Sequence, residues 1–378
     1  MIGRPTESRI DLDSLSFNTR SIRAFLGEGV KFMAVVKADA YGHGAVECAR
    51  RLESEGIDWF GVATVEEAIE LRSAGIKSPI LTFGSFWPGQ QSSVVEYGVT
   101  PSIFDLDRAR LLNDHSSAAG HTSNIHVKID TGMGRVGVPY RDVPEFASAL
   151  KGLANLKVEG LMTHFATADD VSNEFTQVQM RRFADVVSIF HENGFRPTIL
   201  DMANSPGAVA FKESHSSMVR IGGILYGLGD DVLPAGVDRP DLRPVMSLTT
   251  QIAFIKRVNK GESVGYGQTF VAERDSIIAT IPIGYHDGLR RSLSNNGRAL
   301  VHGEFVPMVG RISMDWTTLD ITDIANASTG DEVVLIGTQG DRKISAEEMA
   351  AQCDTISYEI TCGISGRVRR VFLSEQSL

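Results

Sequence analysis

From Phe32 to about Tyr226, short apolar runs alternate with longer stretches in which apolar residues recur at i, i+3 and i+4. That alternation predicts strand and helix units repeated around a parallel sheet. The predicted strands are FMAVVK ending at Lys37, DWFGVA at Ala63, PILTF at Phe83, VTPSI at Ile103, NIHVKID at Asp130, VEGLMTH at His164, TILDM at Met202 and SMVRIG around Arg220. Between them HGAVECARRLESEG, TVEEAIELRSAG and NEFTQVQMRRFADVVSIFHENG read as helices that stop at glycine. A further helix, LDSLSFNTRSIRAFLG, precedes the first of these strands. Eight strands suit a closed (β/α)8 barrel, and a doubly wound open sheet would leave much the same string. After Gly229 the proline-rich segment DDVLPAGVDRPDLRP marks a boundary. Beyond it MSLTTQIAFIKRV, SIIATIPIG, RALVHGEFVPMVG, WTTLDIT and DEVVLIG predict a compact, mainly β domain. The expected division is residues 1–238 and 239–378.

Composition adds limits to this picture. A chain of 378 residues with 42% hydrophobic and 22% charged positions is of ordinary globular type, which excludes collagen, coiled coil and disorder. The net charge of −10 removes the broad basic footprint that nucleic acid or an anionic membrane surface requires. Cys48, Cys353 and Cys362 are odd in number and lack CxxC spacing, so neither a disulfide framework nor a zinc ribbon is expected. The start is polar and no apolar run reaches the length of a membrane span, so a cytoplasmic protein is expected.

The chemistry-bearing residues gather at predicted strand ends, where barrel enzymes build their active sites. They are Lys37, Lys128 with Asp130, His164, and Arg220 within its strand. A lysine that closes an apolar run enters a partly buried place, and burial favours the neutral amine, a nucleophile. Taken alone, Lys37 is better explained by a snorkelling side chain. The adjoining VKADAYGHG adds Tyr41, a phenol donor in a glycine-rich turn. ANSPG places Ser205 before a helix starting near Pro206, as an anion ligand or as an ordinary cap. RIGGILYG offers the open backbone of Gly222 and Gly223, after the last barrel strand, where phosphate sites are common. A nucleophilic lysine with a phosphate cradle points to pyridoxal 5'-phosphate. The GxGxxG match at Gly132, Gly134 and Gly137 is better read as a turn, because Pro139 and Pro144 delay the helix a dinucleotide site needs.

VKADAYGHG, KIDTGMGRVG, THFATAD, ANSPG, MVRIGGILYG, VGYGQTF, IPIGYHDGL, MVGRISMD and SYEITCGIS together resemble the bacterial alanine racemases, from about Arg9 to Val371. The resemblance implies a (β/α)8 TIM-type barrel followed by a mainly β C-terminal domain. It implies interconversion of L- and D-alanine on pyridoxal phosphate, supply of D-alanine to peptidoglycan, and a homodimer with shared active sites. Lys37 matches the lysine that bonds the cofactor as a Schiff base and acts as one acid/base catalyst. Tyr266 matches the opposite catalyst, supplied by the partner subunit. Racemisation needs both, because a proton leaves one face of Cα and returns to the other. An ordinary phenol titrates near ~10, so Tyr266 needs cations or donors nearby; His164 and Arg220 belong to that network in the family.

Arg220 matches the arginine facing the pyridine nitrogen, which it should leave unprotonated, since guanidinium does not readily give up a proton. Arg135 and Met314 match groups that hold the substrate carboxylate, and Tyr285 matches an entrance residue. Tyr41, Ser205, Gly222, Gly223 and Tyr358 match phosphate contacts. Lys128 matches a lysine carbamylated in many members. Two positions depart from the family pattern: Asp201 stands where histidine is usual, beside Arg220, and His286 stands where alanine is common. Alternatives within reach are a racemase of broader specificity (serine, lysine), a same-fold decarboxylase using a late cysteine such as Cys362, and a non-catalytic pyridoxal phosphate-binding protein. The decarboxylase would place Glu where Arg220 stands, and the carrier would lack the second domain.

Overall fold

The computed structural model describes residues 3–374 of the chain. Each of the eight predicted barrel runs forms a strand: β1 Lys31–Val35, β2 Trp59–Val62, β3 Ile80–Thr82, β4 Thr100–Ile103, β5 Ser123–Asp130, β6 Leu156–Met162, β7 Ile199–Asp201 and β8 Met218–Ile221. All neighbouring pairs are parallel. The order β4-β3-β2-β1-β8-β7-β6-β5 closes through a β4–β5 pairing, so the sheet is a barrel and not an open layer. Lys37 and His164 fall just beyond strands that end sooner than the apolar runs, and so stand at the C-terminal mouth.

Met33, Trp59, Leu81, Met162, Ile199 and Met218, one from each of six strands, pack as an apolar layer inside the barrel. His126 of β5 joins it, its ring 5.2 Å from that of Trp59. Gly160 is needed opposite, because a Cβ there would lie 2.6 Å from the imidazole. This layer is the floor of whatever lies above. The helices around the barrel bury one face each; Leu15, Ile22 and Leu26 do so on Leu12–Leu26, which starts under an Asp11 cap and ends at Gly27 with φ 80°.

The GxGxxG segment is a turn. Asp130 accepts hydrogen bonds from the amides of Gly132 and Gly134 at 2.9 and 3.1 Å, and the next α-helix waits until Val143–Leu150.

The C-terminal part is mainly β. A seven-stranded sheet runs Glu304–Pro307, Arg298–Val301, Glu332–Gln339, Met246–Gln251, Glu7–Asp11, Arg369–Leu373, with Arg342–Ile344 also on Glu332–Gln339. A three-stranded sheet joins Phe254–Val258, Ser276–Ile281 and Thr317–Asp320. The strand nearest the N-terminus, Glu7–Asp11, therefore lies outside the barrel, antiparallel to Met246–Gln251 and parallel to Arg369–Leu373. Helices Ala346–Gln352 and Ser357–Gly363 return the chain to the barrel mouth. The side chain of Asn18 fastens the connection: its amide donates to the carbonyls of Leu225 and Arg243 at 2.9 and 2.8 Å, and its Oδ1 accepts from Arg243 N–H at 2.7 Å.

Candidate active site

A cavity of about 550 Å³ opens at the C-terminal mouth of the barrel. It is lined by Lys37, Tyr41, Lys128, Arg135, His164, Ser205, Arg220, Gly222, Gly223 and Tyr358, which brings ten of the residues singled out in the sequence to one place. Tyr266, Tyr285 and Met314 do not line it. They sit on the second domain, 70%, 42% and 51% exposed. The amides of Tyr285 and His286 donate to the carbonyls of Ser313 and Met314 at 3.0 and 3.1 Å, so Tyr285 and Met314 share one surface.

Lys37 follows β1 and opens a turn that has no counterpart in the sequence pattern. Ala38, Asp39, Ala40 and Tyr41 all have φ between 53° and 55°, a left-handed run without glycine. Each such residue costs roughly 1–2 kcal/mol, so the turn must be held by further contacts. Glu67 and Asp39 hold it. Glu67 accepts from the amides of Ala38 and Ala63 at 2.7 and 2.6 Å while closing a capping box with Thr64, and Asp39 accepts from Ala45 N–H at 2.7 Å. Burial, with the charges of Arg135 and Arg220 nearby, pulls the Lys37 amine below 10.5, against the opposing Glu67. That enlarges the neutral, nucleophilic fraction. The same cavity contains Cys362, whose thiol burial pushes up and so keeps protonated.

The left-handed turn carries Tyr41 onto Tyr358 and Tyr226, with ring centroids 5.1 and 5.3 Å apart. Burial raises the Tyr41 and Tyr358 phenols above 10, so both keep their protons and act as donors. Gly222 and Gly223 lie under these rings. A Cβ on Gly222 would stand 2.5 Å from the Tyr41 hydroxyl, and one on Gly223 would run into the Tyr358 ring. Ser205 is not a helix cap here: Asn204 caps Ser205–Ala210 by accepting from Gly207 N–H at 3.1 Å, which frees the Ser205 hydroxyl to accept from Gly222 N–H at 2.9 Å. Asp231, absent from the sequence reading, accepts from the amide and hydroxyl of Ser357 at 2.5 and 2.9 Å and so steadies the helix bearing Tyr358.

On the same cavity Arg220 rises from β8, 4% exposed. Its Nη1 pairs with Asp201, and its Nη2 reaches the Thr163 carbonyl at 2.9 Å, the Met202 carbonyl at 3.2 Å and His164 Nδ1 at 3.1 Å. Lys128 of β5 lies in the same group. Burial and the charges of Arg220, Arg135 and Lys37 lower it from 10.5 to about 8, with Asp201 opposing. Burial and those same cations hold His164 well below 6.5, hence neutral.

An amine of lowered basicity, phenol donors over bare glycine backbone and a guanidinium on the same cavity fit pyridoxal phosphate. The cradle has room for a phosphate where a side chain would fill it, and Lys37 supplies the amine for the aldehyde. This arrangement, on a barrel with an appended β domain, defines a pyridoxal phosphate-dependent enzyme.

The comparisons agree. Residues 10–230 match the alanine racemase N-terminal domain, and residues 245–372 the alanine racemase C-terminal domain. Alanine racemase 2 of Caldanaerobacter subterraneus subsp. tengcongensis is 43% identical over 373 residues, covering 98% of this chain and 95% of that protein. The alanine racemase structure of Clostridium difficile 630 superposes with a TM-score of 0.92 at 38% identity, over 99% of this chain and 97% of that one. That of Bartonella henselae, with covalently bound pyridoxal phosphate, superposes at 0.87 with 28% identity, over 98% of this chain and 100% of that one. The chain belongs to the alanine racemase family.

Proposed function

We propose that this protein interconverts L- and D-alanine by moving a proton between the two faces of Cα. The observation that carries the reading is Lys37, an amine of lowered basicity, in one cavity with a phosphate cradle and Arg220. When bound, pyridoxal phosphate supplies the electron sink that acidifies Cα–H. Tyr41, Tyr358, Ser205, Gly222 and Gly223 would hold its phosphate, and Arg220, on the same cavity, would serve its ring. Lys37 Nζ would hold the cofactor through its aldehyde with loss of water and, once the substrate amine displaces it, would be free to take or return the proton on one face, and Arg135 would orient the substrate carboxylate. Lys128 is the candidate for carbamylation, since an amine lowered to about 8 has a usable neutral fraction at physiological pH.

Tyr266 Oη takes the proton on the other face. In its own chain it is 70% exposed and outside the cavity, so the site is completed by Tyr266 of a second copy, with Met314 closing on the carboxylate and Tyr285 at the entrance. The active form is therefore a homodimer. Lys37→Ala and Tyr266→Phe variants, each inactive, test this on mixing: half the dimers formed by random exchange hold one intact site, which restores about a quarter of wild-type activity. Mixing without recovery refutes the shared site.

No helix among the described residues is long and apolar enough to cross a membrane, which accords with the cytoplasmic location we assign. We also assign supply of D-alanine to peptidoglycan as the physiological role. A coupled assay with the L- and D-isomers of alanine, serine and lysine tests the substrate. Equal turnover of serine or lysine would widen the specificity, and carbon dioxide release without racemisation would replace the reading by a decarboxylase.

A further inference from the structure

Asp201 does not line the cavity; it stands behind Arg220, fully buried at the end of β7. Its Oδ1 pairs with Arg220 Nη1, and its Oδ2 is buried without a hydrogen-bond partner. Most of the remaining donor capacity of Arg220 is taken as well. Nη1 also reaches the Asp201 carbonyl at 3.4 Å, and Nη2 is taken by Thr163, Met202 and His164. Nε–H is the donor left without a partner among the described residues, so only one edge of the guanidinium remains for a ligand.

The charges around this pair are unequal. Lys37 beyond β1, Lys128 on β5 and Arg135 on the loop after it line the cavity with Arg220, and each acts with it to depress a neighbouring base. His164, after β6, and His126, in the layer below, are held neutral. Asp201 is the acid that opposes this cluster at Lys128. Glu67 opposes it at Lys37 from outside the barrel, and Asp169 and Asp231 lie elsewhere on the cavity wall. An isolated arginine buried among these cations would be unfavourable. Paired with a carboxylate, it is a donor of fixed direction and nearly no net charge.

We propose that Asp201 is a positioning residue that converts Arg220 into a neutral, one-edged donor toward the cofactor, so that the positive potential of the cavity comes from Lys37, Lys128 and Arg135. The inference rests on the cofactor reading above, and deepens it. Asparagine keeps the acceptor for Nη1 and removes the charge, so Asp201→Asn separates charge from geometry. In the apoprotein, inorganic phosphate measured by calorimetry should bind Asp201→Asn at least about threefold more tightly than wild type, because one negative charge behind the cavity has been removed. In the protein reconstituted with pyridoxal phosphate, the pH midpoint of the visible absorption should fall by about one unit, because a cationic acid near an uncompensated guanidinium loses its proton sooner.

Weaker phosphate binding in the variant would mean that Asp201 only props Arg220 in place, and would overturn the proposal. So would an unchanged affinity, or an unmoved midpoint in a protein that takes up the cofactor. A wild-type protein that develops no visible band with pyridoxal phosphate would sink the cofactor reading instead, while the phosphate measurement would still decide the role of Asp201. Should Asp201→Asn fail to fold, Asp201→His makes the same comparison, with an acceptor retained and the permanent charge gone.

Discussion

Replacing Lys128 by methionine removes an ammonium from the barrel mouth and leaves an apolar stem of similar length. In the folded protein, burial and the charges of Arg220, Arg135 and Lys37 bring this amine from 10.5 down to about 8. The unfolded chain then holds the proton more tightly than the folded one. Below about pH 8 both states are protonated and the fold carries the whole penalty; from 8 to 10.5 only the unfolded chain is protonated, so stability rises with pH until the penalty is gone. At ~1.4 kcal/mol per pH unit the penalty is about 3 kcal/mol. Urea unfolding of the apoproteins in CO2-free buffer should therefore find Lys128→Met more stable by about 3 kcal/mol at pH 7, with the gap closing toward pH 10.5. Added bicarbonate should stabilise wild type and leave the variant unmoved, since a carbamate would place a negative charge among the cations. A variant less stable at pH 7, or a gap indifferent to pH, would refute the electrostatic argument.

Acid should weaken the fold through histidines buried in their neutral form. Burial lowers His43 from 6.5 to about 4 and His126 to about 3, so their contribution is complete above about pH 6.5 and is lost as pH falls, by up to ~1.4 kcal/mol per unit for each. His126→Leu should flatten the profile between pH 6.5 and 4, and an unchanged slope in urea titrations would count against it. Gly222→Ala puts a methyl 2.5 Å from the Tyr41 hydroxyl. If that costs one charged hydrogen bond to the phosphate, the cofactor dissociation constant rises about 10- to 100-fold, measurable by fluorescence titration. Asp231→Ala strips the acceptor from Ser357 and should cost about 1 kcal/mol of stability together with weaker cofactor retention; full retention would separate Asp231 from the Tyr358 contact.

The barrel was legible because each strand writes its own apolar run, and because polar residues interrupt those runs where the strands meet the cavity. Lys37, Lys128, His164 and Arg220 could be placed at one mouth on that ground alone. Closure could not: the β4–β5 pairing leaves no mark in periodicity that distinguishes it from an open sheet. Ser205 was readable as a cap or as a ligand, and it took the Asn204–Gly207 hydrogen bond to decide. The left-handed turn at residues 38–41 was invisible, since nothing in the alanines of KADAY demands positive φ. Its clamp, Glu67, did have a signal in the Thr64 to Glu67 capping-box spacing, although that spacing points only to a helix start. The Asp201–Arg220 pair was anticipated as a neighbouring acid, and its depth behind the cavity wall depends on packing that no local pattern encodes.

The strand Glu7–Asp11 is paired on one side with Met246–Gln251 and on the other with Arg369–Leu373. During synthesis it therefore emerges before either partner, and meets the second only after residue 369 has been made. The barrel, complete in sequence by Ile221, can close while this strand waits with both edges bare. A nascent chain stalled before residue 246 would thus carry a finished barrel and an unpaired strand. Fragments ending there should associate through that strand, whereas fragments beginning after Asp11 should not. Glu7–Asp11 and Arg369–Leu373 act as a closing seam, which ties completion of this sheet to synthesis of its most distant strand.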